Sequence, residues 1–279
     1  MRLQIGVRLF EGAGPFLMGV VNVTPDSFSD GGRYLDPAAA VARAERLLAE
    51  GADLLDLGGE STRPGAPEVP EAEEIRRVVP VVQALRARGV GAPISVDTRK
   101  PAVARAALDA GADLVNDVAG LSAPGMVELV AERDAPAVLM HMRGTPADMQ
   151  RHTGYRDVVE EVVAELSAAL ARAVARGVRP ERVILDPGLG FAKTAGQTAE
   201  LLANLPRLAA LGRPLLVGPS RKSFLGALAG VPVEERLPAT LAAVTAAVLG
   251  GAVFVRVHDV APARQAALVA AALRDARRP

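Results

Sequence analysis

Short apolar segments alternate with longer amphipathic segments along the chain. Eight of the short segments are three to seven residues long and, apart from polar residues near their ends, are apolar on both faces. That pattern is typical of parallel strands buried on both sides. The predicted strands cover residues 17–23, 53–57, 94–97, 114–117, 137–140, 183–186, 215–217 and 253–257.

The segments between these strands have the features of helices. Several begin near a proline, which fits the first helical position, and several are followed by a glycine, which commonly ends a helix. The predicted helices cover residues 37–50, 71–87, 101–110, 125–133, 157–176, 197–205, 237–249 and 262–277.

Eight strands alternating with eight helices in about 250 residues predict an α/β fold, a (β/α)₈ TIM barrel. An open doubly wound sheet is the alternative, but the glycine fingerprint G-x-G-x-x-G is missing after the first strand. The residues before Leu17 are predicted to form a short N-terminal β-hairpin that closes the barrel floor. Because no linker or repeat divides the chain, we expect a single domain over residues 1–279.

Composition narrows the possible partners and location. Lys and Arg (32) balance Asp and Glu (32), so the charge gives no indication of a nucleic-acid or membrane partner. The absence of cysteine excludes a disulfide scaffold and a thiolate metal site. The first residues, MRLQIGVRLFEG, lack the apolar stretch of a signal peptide, which predicts a cytoplasmic protein.

One uncharged stretch, residues 237–255, approaches the length of a membrane span. The Gly250-Gly251 pair divides it into an alanine-rich helix and a short strand, which favours a protein without a membrane span. A helix that is apolar on nearly every face must be buried, either inside the monomer or against a second subunit.

Polar residues occur at the ends of all eight predicted strands. In a barrel, the loops that leave the carboxyl ends of the strands build the active site, so these residues predict a polar ligand. Individually, each could instead cap a helix or bind a neighbouring loop. The residues are Asn22, Asp56, Asp97, Asn116, His141, Asp186, Ser220 with Lys222, and Arg256 with His258.

Two strand-to-helix loops, residues 24–37 and 58–70, are long and rich in glycine and proline. Loops of this length in a compact domain are commonly lids or binding loops. Lysine is also scarce: Lys100, Lys193 and Lys222 are the only ones, and each lies just beyond a strand end. A lysine retained where arginine supplies nearly all positive charge is a candidate for a site that needs a compact ammonium group.

Thr62, Arg63, Arg256 and His258 suggest an anion site, since arginine donates in bidentate fashion to phosphate oxygens. Ordinary surface residues are the alternative interpretation. Mg²⁺ is a candidate ion because it prefers oxygen ligands and often bridges to substrate phosphates. The amide oxygen of Asn22 would suit it, with Asp30 as an outer partner.

Asp97, Asn116 and Asp186 can together accept from and donate to the edge of a nitrogen-rich ring. Lys222 would donate to a ring carbonyl or nitrogen. Met140 and Phe191 would pack on the ring faces, although for these two residues taken alone the pattern favours plain core packing.

Eight segments in order carry a resemblance to a known family. They are MGVVNVTPDSFSDGG, LLDLGGESTRPGA, ISVDTRK, VNDVAG, LMHMRG, LDPGLGFAKT, LLVGPSRKSF and VRVHDV, from Met18 to Val260. Together they resemble the dihydropteroate synthases, a pterin-binding family. The resemblance implies a barrel that joins 6-hydroxymethyl-7,8-dihydropterin diphosphate to 4-aminobenzoate with release of diphosphate, a Mg²⁺ cofactor and a homodimer.

The resemblance also implies roles for individual residues. Asn22 is similar to the family position that binds Mg²⁺ and diphosphate, and the other implied diphosphate contacts are Thr62, Arg63, Arg256 and His258. The implied pterin positions are Asp97, Asn116, Asp186 and Lys222, with Met140 and Gly218 lining the pocket. The implied 4-aminobenzoate positions are Phe28, Pro64, Phe191, Ser220 and Lys222. The implied catalytic set is Asp97, Lys222, Arg256, His258 and Arg63, whereas Asp56 receives no role.

Two other functions are compatible with a pterin-binding barrel. A methyltransferase that passes a methyl group from a folate to a corrinoid would use Asp97, Asn116 and Asp186 but needs no diphosphate site. The two long loops, with Arg63 and His258, argue against it. A barrel that binds a pterin without catalysis would be expected to lack some anion residues, and the sequence retains them.

Overall fold

The computed structural model describes residues 1–24, 37–63 and 65–276. Strands β1 (Arg2–Ile5) and β2 (Arg8–Glu11) form an antiparallel hairpin. The other eight strands run parallel to one another. They are β3 (Phe16–Asn22), β4 (Leu54–Gly58), β5 (Ile94–Asp97), β6 (Leu114–Asp117), β7 (Ala137–Met140), β8 (Val183–Asp186), β9 (Leu216–Val217) and β10 (Phe254–Val257).

The eight parallel strands close into a barrel. Strands β3 to β8 pair with their neighbours in chain order, and β10 lies between β3 and β9. A parallel bridge between Leu185 and Leu215, with a 2.9 Å hydrogen bond from the Leu185 amide to the Pro214 carbonyl, joins β8 to the start of β9. The predicted TIM barrel with an N-terminal hairpin is therefore confirmed.

Ten α-helices occur in the described ranges. They are α1 (Pro37–Ala49), α2 (Glu71–Ala87), α3 (Pro101–Asp109), α4 (Met126–Glu132), α5 (Val158–Ala175), α6 (Ala195–Ala203), α7 (Leu205–Ala209), α8 (Ser223–Ala229), α9 (Leu237–Leu249) and α10 (Val260–Asp275). The predicted helix 197–205 corresponds to α6, and the short α7 that follows Asn204 was not predicted. Helix α8 was not among the helices predicted from periodicity, because seven residues are too few to display a helical period.

Side chains along the barrel strands alternate between two apolar environments. On β8, Leu185 packs in the large cluster between strands and helices, whereas Ile184 belongs to a second cluster inside the barrel. On β10, Val255 and Phe254 divide in the same way. This alternation decides which strand-end residues face the barrel mouth.

The β1–β2 hairpin closes the floor of the barrel. Leu3, Ile5 and Phe10 are buried in the cluster that contains Phe254. The rings of Phe10 and Phe254 meet edge to face with centroids 5.4 Å apart. Burying each such aromatic side chain contributes about 1.5–3 kcal/mol to folding, so the hairpin is an integral part of the core.

Helix α9 is only partly covered by the rest of the chain. Ala243 and Val244 are buried, whereas Ala242 and Ala246 are exposed. The neighbouring α10 exposes three large apolar side chains, Leu268 (54%), Val269 (61%) and Leu273 (54%). No helix in the described ranges is both long and apolar enough to cross a membrane.

Candidate active site

The residues that face the barrel interior change from apolar to polar near the carboxyl ends of the strands. Arg256 comes two residues after Phe254 on β10, and Asp186 two residues after Ile184 on β8. Because side chains on a strand alternate with a period of two, each pair faces the same side. Asp97 and Asn116 are register partners on β5 and β6 and are both buried. The strand ends thus bring polar and charged groups into the barrel mouth.

The guanidinium group of Arg256 lies between two buried carboxylates. Its Nε donates to Asp56 Oδ2 (2.5 Å), and its Nη2 donates to Asp97 Oδ2 (2.7 Å). Asn116 Nδ2 donates to the same Asp56 oxygen at 3.0 Å. Asp56, to which the sequence assigned no role, therefore orients both Arg256 and Asn116. The sequence signal was present, since Asp56 is a carboxylate at the end of a predicted strand.

Two carboxylate oxygens in this cluster, Asp56 Oδ1 and Asp97 Oδ1, lack a hydrogen-bond partner among the described residues. Burial raises the pKa of Asp97 to about 7, with Arg256 opposing the rise and Asp56 adding to it. Burial alone would lower the pKa of Arg256, but the carboxylates of Asp56 and Asp97 outweigh it and raise that pKa. Asp97 therefore retains an unused acceptor, and an N–H donor placed there would favour its ionised form.

Asp186 and Lys222 influence each other's charge at the mouth. Burial raises the pKa of Asp186, and Lys222 opposes that rise. Burial lowers the pKa of Lys222 to about 8, and Asp186 opposes that fall. Lys222 Nζ donates to the Leu189 carbonyl (2.5 Å) and lies 4.1 Å from the centre of the Phe191 ring, a cation–π distance. The structure thus brings Lys222 and Phe191 together.

The loop after β8 requires glycine at position 188. Its backbone has φ +65°, and a Cβ there would lie 2.0 Å from the His141 carbonyl oxygen. The close approach lets the Gly188 amide donate to Asp186 Oδ1 at 2.7 Å. Asp186 is therefore held through Oδ1 by its own loop.

Lys193 and His141 form a buried pair beside this loop, and nothing in the sequence indicated that the two residues are in contact. Lys193 Nζ is 3.0 Å from His141 Nδ1, and His141 Nε2 is 2.9 Å from Glu165 Oε2. Burial lowers the pKa of Lys193 to about 7 and that of His141 to about 4. The scarcity of lysine had singled out Lys193, but only the fold shows its partner.

His258 directly follows β10 at the mouth. Its Nδ1 lies 3.0 Å from Ser220 Oγ, and its backbone amide donates to the same hydroxyl at 3.2 Å. Burial lowers the pKa of His258 to about 4, helped by the positive charges of Arg256, Arg221 and, more weakly, Arg63. The ring is therefore neutral near pH 7.

A cavity of about 590 Å³ opens beside β3 and α1. It brings Asn22 and His258 together with two arginines from α1. Arg43 also donates from Nη2 to the His258 carbonyl at 2.6 Å. The basic lining suits an anion. The lining residues are Val20, Asn22, Ala39, Ala42, Arg43, Arg46 and His258.

The loop after β4 carries Thr62, which is half-buried, and Arg63, which is exposed. Its base is fixed by Lys100, whose Nζ donates to Glu60 (2.5 Å), Glu74 (2.7 Å) and the Val69 carbonyl. Burial would lower the pKa of Lys100, but the hydrogen bonds to Glu60 and Glu74 raise it. Lys100 thus secures a loop rather than facing the mouth.

The remaining predicted residues divide into two groups. Met140 is buried at the end of β7 in register with Asp186, and a Cβ on Gly218 would lie 3.6 Å from Arg256 Cβ, so both lie at the mouth. Phe28, Asp30 and Pro64 lie outside the described residues.

The described residues contain no cluster of three or more His, Asp or Glu side chains able to hold a metal ion. Asn22, half-buried at the end of β3, offers one amide oxygen beside the arginines of the cavity. This donor set fits Mg²⁺ when an anionic ligand supplies further oxygens, because protein-bound Mg²⁺ commonly takes some of its oxygen ligands from substrate phosphates.

Residues 18–258 match the family model described as pterin binding enzyme. The chain is 48% identical over 274 residues to a dihydropteroate synthase from Synechocystis sp., which spans 97% of this chain and 94% of that protein. It is 46% identical over 246 residues to a dihydropteroate synthase from Escherichia coli (strain K12), spanning 88% and 87%.

Solved structures agree with these sequence matches. A Xanthomonas albilineans dihydropteroate synthase with 4-aminobenzoic acid superposes with a TM-score of 0.92 at 47% identity, covering 99% of both chains. A dihydropteroate synthase from the same organism in complex with 7,8-dihydropteroate gives a TM-score of 0.89 at 44% identity, covering 99% of this chain and 100% of the other.

Proposed function

Because this chain belongs to the family of pterin-binding enzymes and has the activity of a dihydropteroate synthase, we propose that its barrel mouth carries out that reaction with the residues described above. The substrates are 6-hydroxymethyl-7,8-dihydropterin diphosphate and 4-aminobenzoate, and the products are 7,8-dihydropteroate and diphosphate. The observation that supports this assignment of residues is the Asp56–Arg256–Asp97 cluster, which places an unused carboxylate acceptor beside a cation.

The pterin ring binds to Asp97, Asn116 and Asp186. The two carboxylates accept N–H donors of the amino-pyrimidine edge, and the amide of Asn116 both donates and accepts. Lys222 donates to the ring, while Met140 and Gly218 line the pocket. The inward register of these strand ends and the unpartnered Asp97 Oδ1 support this arrangement.

The diphosphate binds at Asn22, Thr62, Arg63, Arg256 and His258. An arginine has five N–H donors, and Asp56 and Asp97 use two of those of Arg256, so three remain for phosphate oxygens. The cavity that joins Asn22 to His258 supplies two more positive side chains and supports an anion at this position.

The 4-aminobenzoate binds near Phe28, Pro64, Phe191, Ser220 and Lys222. Lys222 offers a positive charge to the substrate carboxylate, and the Phe191 ring offers an apolar face. The 4.1 Å distance between the Lys222 ammonium and that ring supports a single subsite made by both residues.

The reaction is a substitution at the exocyclic methylene carbon of the pterin. The C–O bond breaks and its electron pair leaves with the diphosphate, where Arg63, Arg256 and His258 stabilise the developing negative charge. The dihydropterin delocalises the positive charge left behind, and the carboxylates of Asp97 and Asp186 stabilise it. The amine of 4-aminobenzoate donates its lone pair to form the C–N bond and then loses a proton to water.

Asn22 would hold Mg²⁺ together with the oxygens of the diphosphate. When bound, this ion supplies electrostatic stabilisation of the leaving group. Its requirement is tested by isothermal titration of the dihydropterin diphosphate with and without Mg²⁺, in the wild type and in Asn22→Ala. The assignment is supported if Mg²⁺ tightens binding of the dihydropterin diphosphate to the wild type but not to Asn22→Ala.

A homodimer forms through α9 and α10. The exposed alanines of α9 and the exposed Leu268, Val269 and Leu273 of α10 form adjoining apolar surfaces, which a second copy of the chain would cover. Analytical ultracentrifugation of the wild type and of Val269→Glu tests this, with dimer expected only for the wild type.

The single domain over 1–279 and the cytoplasmic location stay predictions of the sequence.

The activity is tested by measuring diphosphate and dihydropteroate formation by purified protein with dihydropterin diphosphate and Mg²⁺, with and without 4-aminobenzoate. Dihydropteroate is expected only when 4-aminobenzoate is present, and Lys222→Ala is expected to abolish it. Arg172→Ala, on the exposed face of α5, is the matched control and should retain full activity. Pterin binding without product would contradict the proposal and favour a methyltransferase or a non-catalytic barrel.

A further inference from the structure

Lys193 is a buried cation, 3% exposed, that the reaction described above does not use. Its Nζ donates to the carbonyls of Gly188 (3.1 Å) and Phe191 (2.9 Å), and it lies 3.0 Å from His141 Nδ1. A lysine ammonium has three N–H donors, so these three partners use all of them. In this arrangement the group has no donor left for a substrate.

The hydrogen-bonding capacity of lysine fixes the protonation of His141. When Lys193 is an ammonium group it only donates, so His141 Nδ1 then accepts and the ring proton lies on Nε2. That Nε2 then donates to Glu165 Oε2 at 2.9 Å. Glu165 is held in turn by Arg143, whose Nε lies 3.0 Å from its other carboxylate oxygen. A continuous chain of contacts thus runs from α5 to Lys193.

The segment held by Lys193 is the loop after β8, residues 187–194. It supplies the Leu189 carbonyl and the Phe191 ring, both of which contact the Lys222 ammonium. Its backbone has positive φ at Gly188, Gly190 and Ala192, and an alanine at φ +51° is in a conformation that L-residues seldom adopt. Such a backbone persists only when surrounding contacts hold it.

We propose that Lys193 is a positioning residue for the 4-aminobenzoate subsite. By binding two carbonyls of the loop and the ring of His141, it fixes the Phe191 side chain and the Leu189 carbonyl, and these in turn fix Lys222. The proposal rests on the proposed function, because it assigns Phe191 and Lys222 to that subsite. Asp97 and Asn116, the pterin contacts on β5 and β6, lie outside this loop. Asp186 and Lys222 are also assigned to the pterin, so we expect an effect on that substrate too, smaller than the effect on 4-aminobenzoate.

Steady-state kinetics of Lys193→Met tests the positioning role. Methionine keeps the length and apolar stem of lysine and removes the three donors. We expect the KM for 4-aminobenzoate to rise about tenfold or more, since tenfold corresponds to about 1.4 kcal/mol, the size of one or two lost hydrogen bonds. The KM for the dihydropterin diphosphate should rise by a smaller factor, because Asp97 and Asn116 do not depend on this loop. Equal increases in both KM values would overturn the proposal.

Hydrogen exchange provides a readout that does not depend on activity. In Lys193→Met, amide exchange should increase in residues 187–194 and stay unchanged in residues 59–70. Lys100→Met is the matched control, because Lys100 is also buried and holds a different loop through Glu60, Glu74 and Val69. It should show the opposite pattern. Unchanged exchange in 187–194 of Lys193→Met would refute the loop anchor, even if the wild type proved to make no dihydropteroate.

A pair of His141 variants covers the case in which Lys193→Met does not fold. The Oδ1 of an asparagine at position 141 can occupy roughly the place of the ring Nδ1 and accept from Lys193, whereas leucine cannot. We expect His141→Asn to keep a KM for 4-aminobenzoate near that of the wild type, and His141→Leu to raise it. If the two variants behaved alike, the contact between Lys193 and His141 would have no part in positioning.

Discussion

The floor of the barrel and the rim, which is formed by the strand-end residues at the mouth, lie two residues apart on the same strands. The side chains at the floor are apolar, whereas those at the rim are polar or charged. At the floor, Ile184 and Phe254 pack with the β1–β2 hairpin in an apolar cluster. At the rim, Asp186 and Arg256 follow them on the same faces of β8 and β10, in a group of buried charges. One strand therefore serves both stability and chemistry, with the division set by position along it.

The fold gains stability from the apolar floor and loses some at the charged rim. Each apolar side chain buried at the floor contributes favourably, at about 25 cal/mol per Å² removed from water. At the rim, burial raises the pKa values of Asp97 and Asp186, which means that their ionised forms are disfavoured in the folded protein. Groups retained at such a cost are expected at functional sites.

The largest expected effect is the loss of activity in a rim variant. Asp186→Asn keeps an oxygen for the Gly188 amide but removes the carboxylate that we assign to the pterin. We expect kcat/KM to fall about 10²–10³-fold, the range seen when one electrostatic contact to a transition state is removed. Steady-state assay of dihydropteroate formation measures it. Activity within a few-fold of the wild type would remove Asp186 from the mechanism.

The next effect is the loss of stability in a floor variant. Ile184→Ala leaves a cavity beneath the hairpin, where the wild-type side chain is fully buried. Substitutions of this kind cost about 2–5 kcal/mol, so we expect a clear fall in the free energy of unfolding in urea. The value of kcat/KM, measured well below the unfolding transition, should not change. A loss of activity comparable with that of Asp186→Asn would show that floor and rim are not separable.

A smaller effect concerns the pH dependence of stability at the rim. The pKa of Asp97 is about 7 in the folded protein and near 3.8 when unfolded, so the folded state binds more protons between these values. The contribution of Asp97 to the free energy of unfolding should therefore fall as the pH rises from about 4 to 7. Asp97→Asn removes this contribution, so its melting temperature relative to the wild type should increase across that range. A constant difference between the two proteins would contradict the raised pKa.

The smallest effect is expected for an ion pair at the outside of the floor. Arg8 Nη2 lies 2.6 Å from Asp53 Oδ1, and its side chain is 40% exposed. Asp53 is 13% exposed, but the Arg8 end of the pair is open to water, so we expect the pair to contribute about 1 kcal/mol or less. Arg8→Ala should accordingly lower the free energy of unfolding by less than Ile184→Ala. An equal loss would mean that the hairpin is held by charge rather than by apolar packing.

The sequence predicted the strands and the polar strand ends well, because both depend on local pattern. Asp97, Asn116 and Asp186 could be placed at the mouth from their positions after apolar runs alone. The partners of these residues could not be predicted. Asp56 meets Arg256 across 200 positions of the chain, and that contact depends on β4 and β10 lying on either side of β3 in the closed barrel.

Two other features escaped for different reasons. Helix α8 has seven residues, SFLGALA, and too few turns to show a period. The contact between Lys193 and His141 depends on the backbone of the loop after β8, where Gly188 passes so close to His141 that a Cβ would lie 2.0 Å from its carbonyl oxygen. Composition could single out Lys193 but not its partners.

The most direct test of the separation between floor and rim compares two variants of β8. For Ile184→Ala and Asp186→Asn, kcat/KM for dihydropteroate formation and the free energy of unfolding are both measured at the same pH. The account predicts that Ile184→Ala loses stability and keeps kcat/KM, while Asp186→Asn loses kcat/KM and keeps or gains stability. Parallel losses of both quantities in both variants would contradict it.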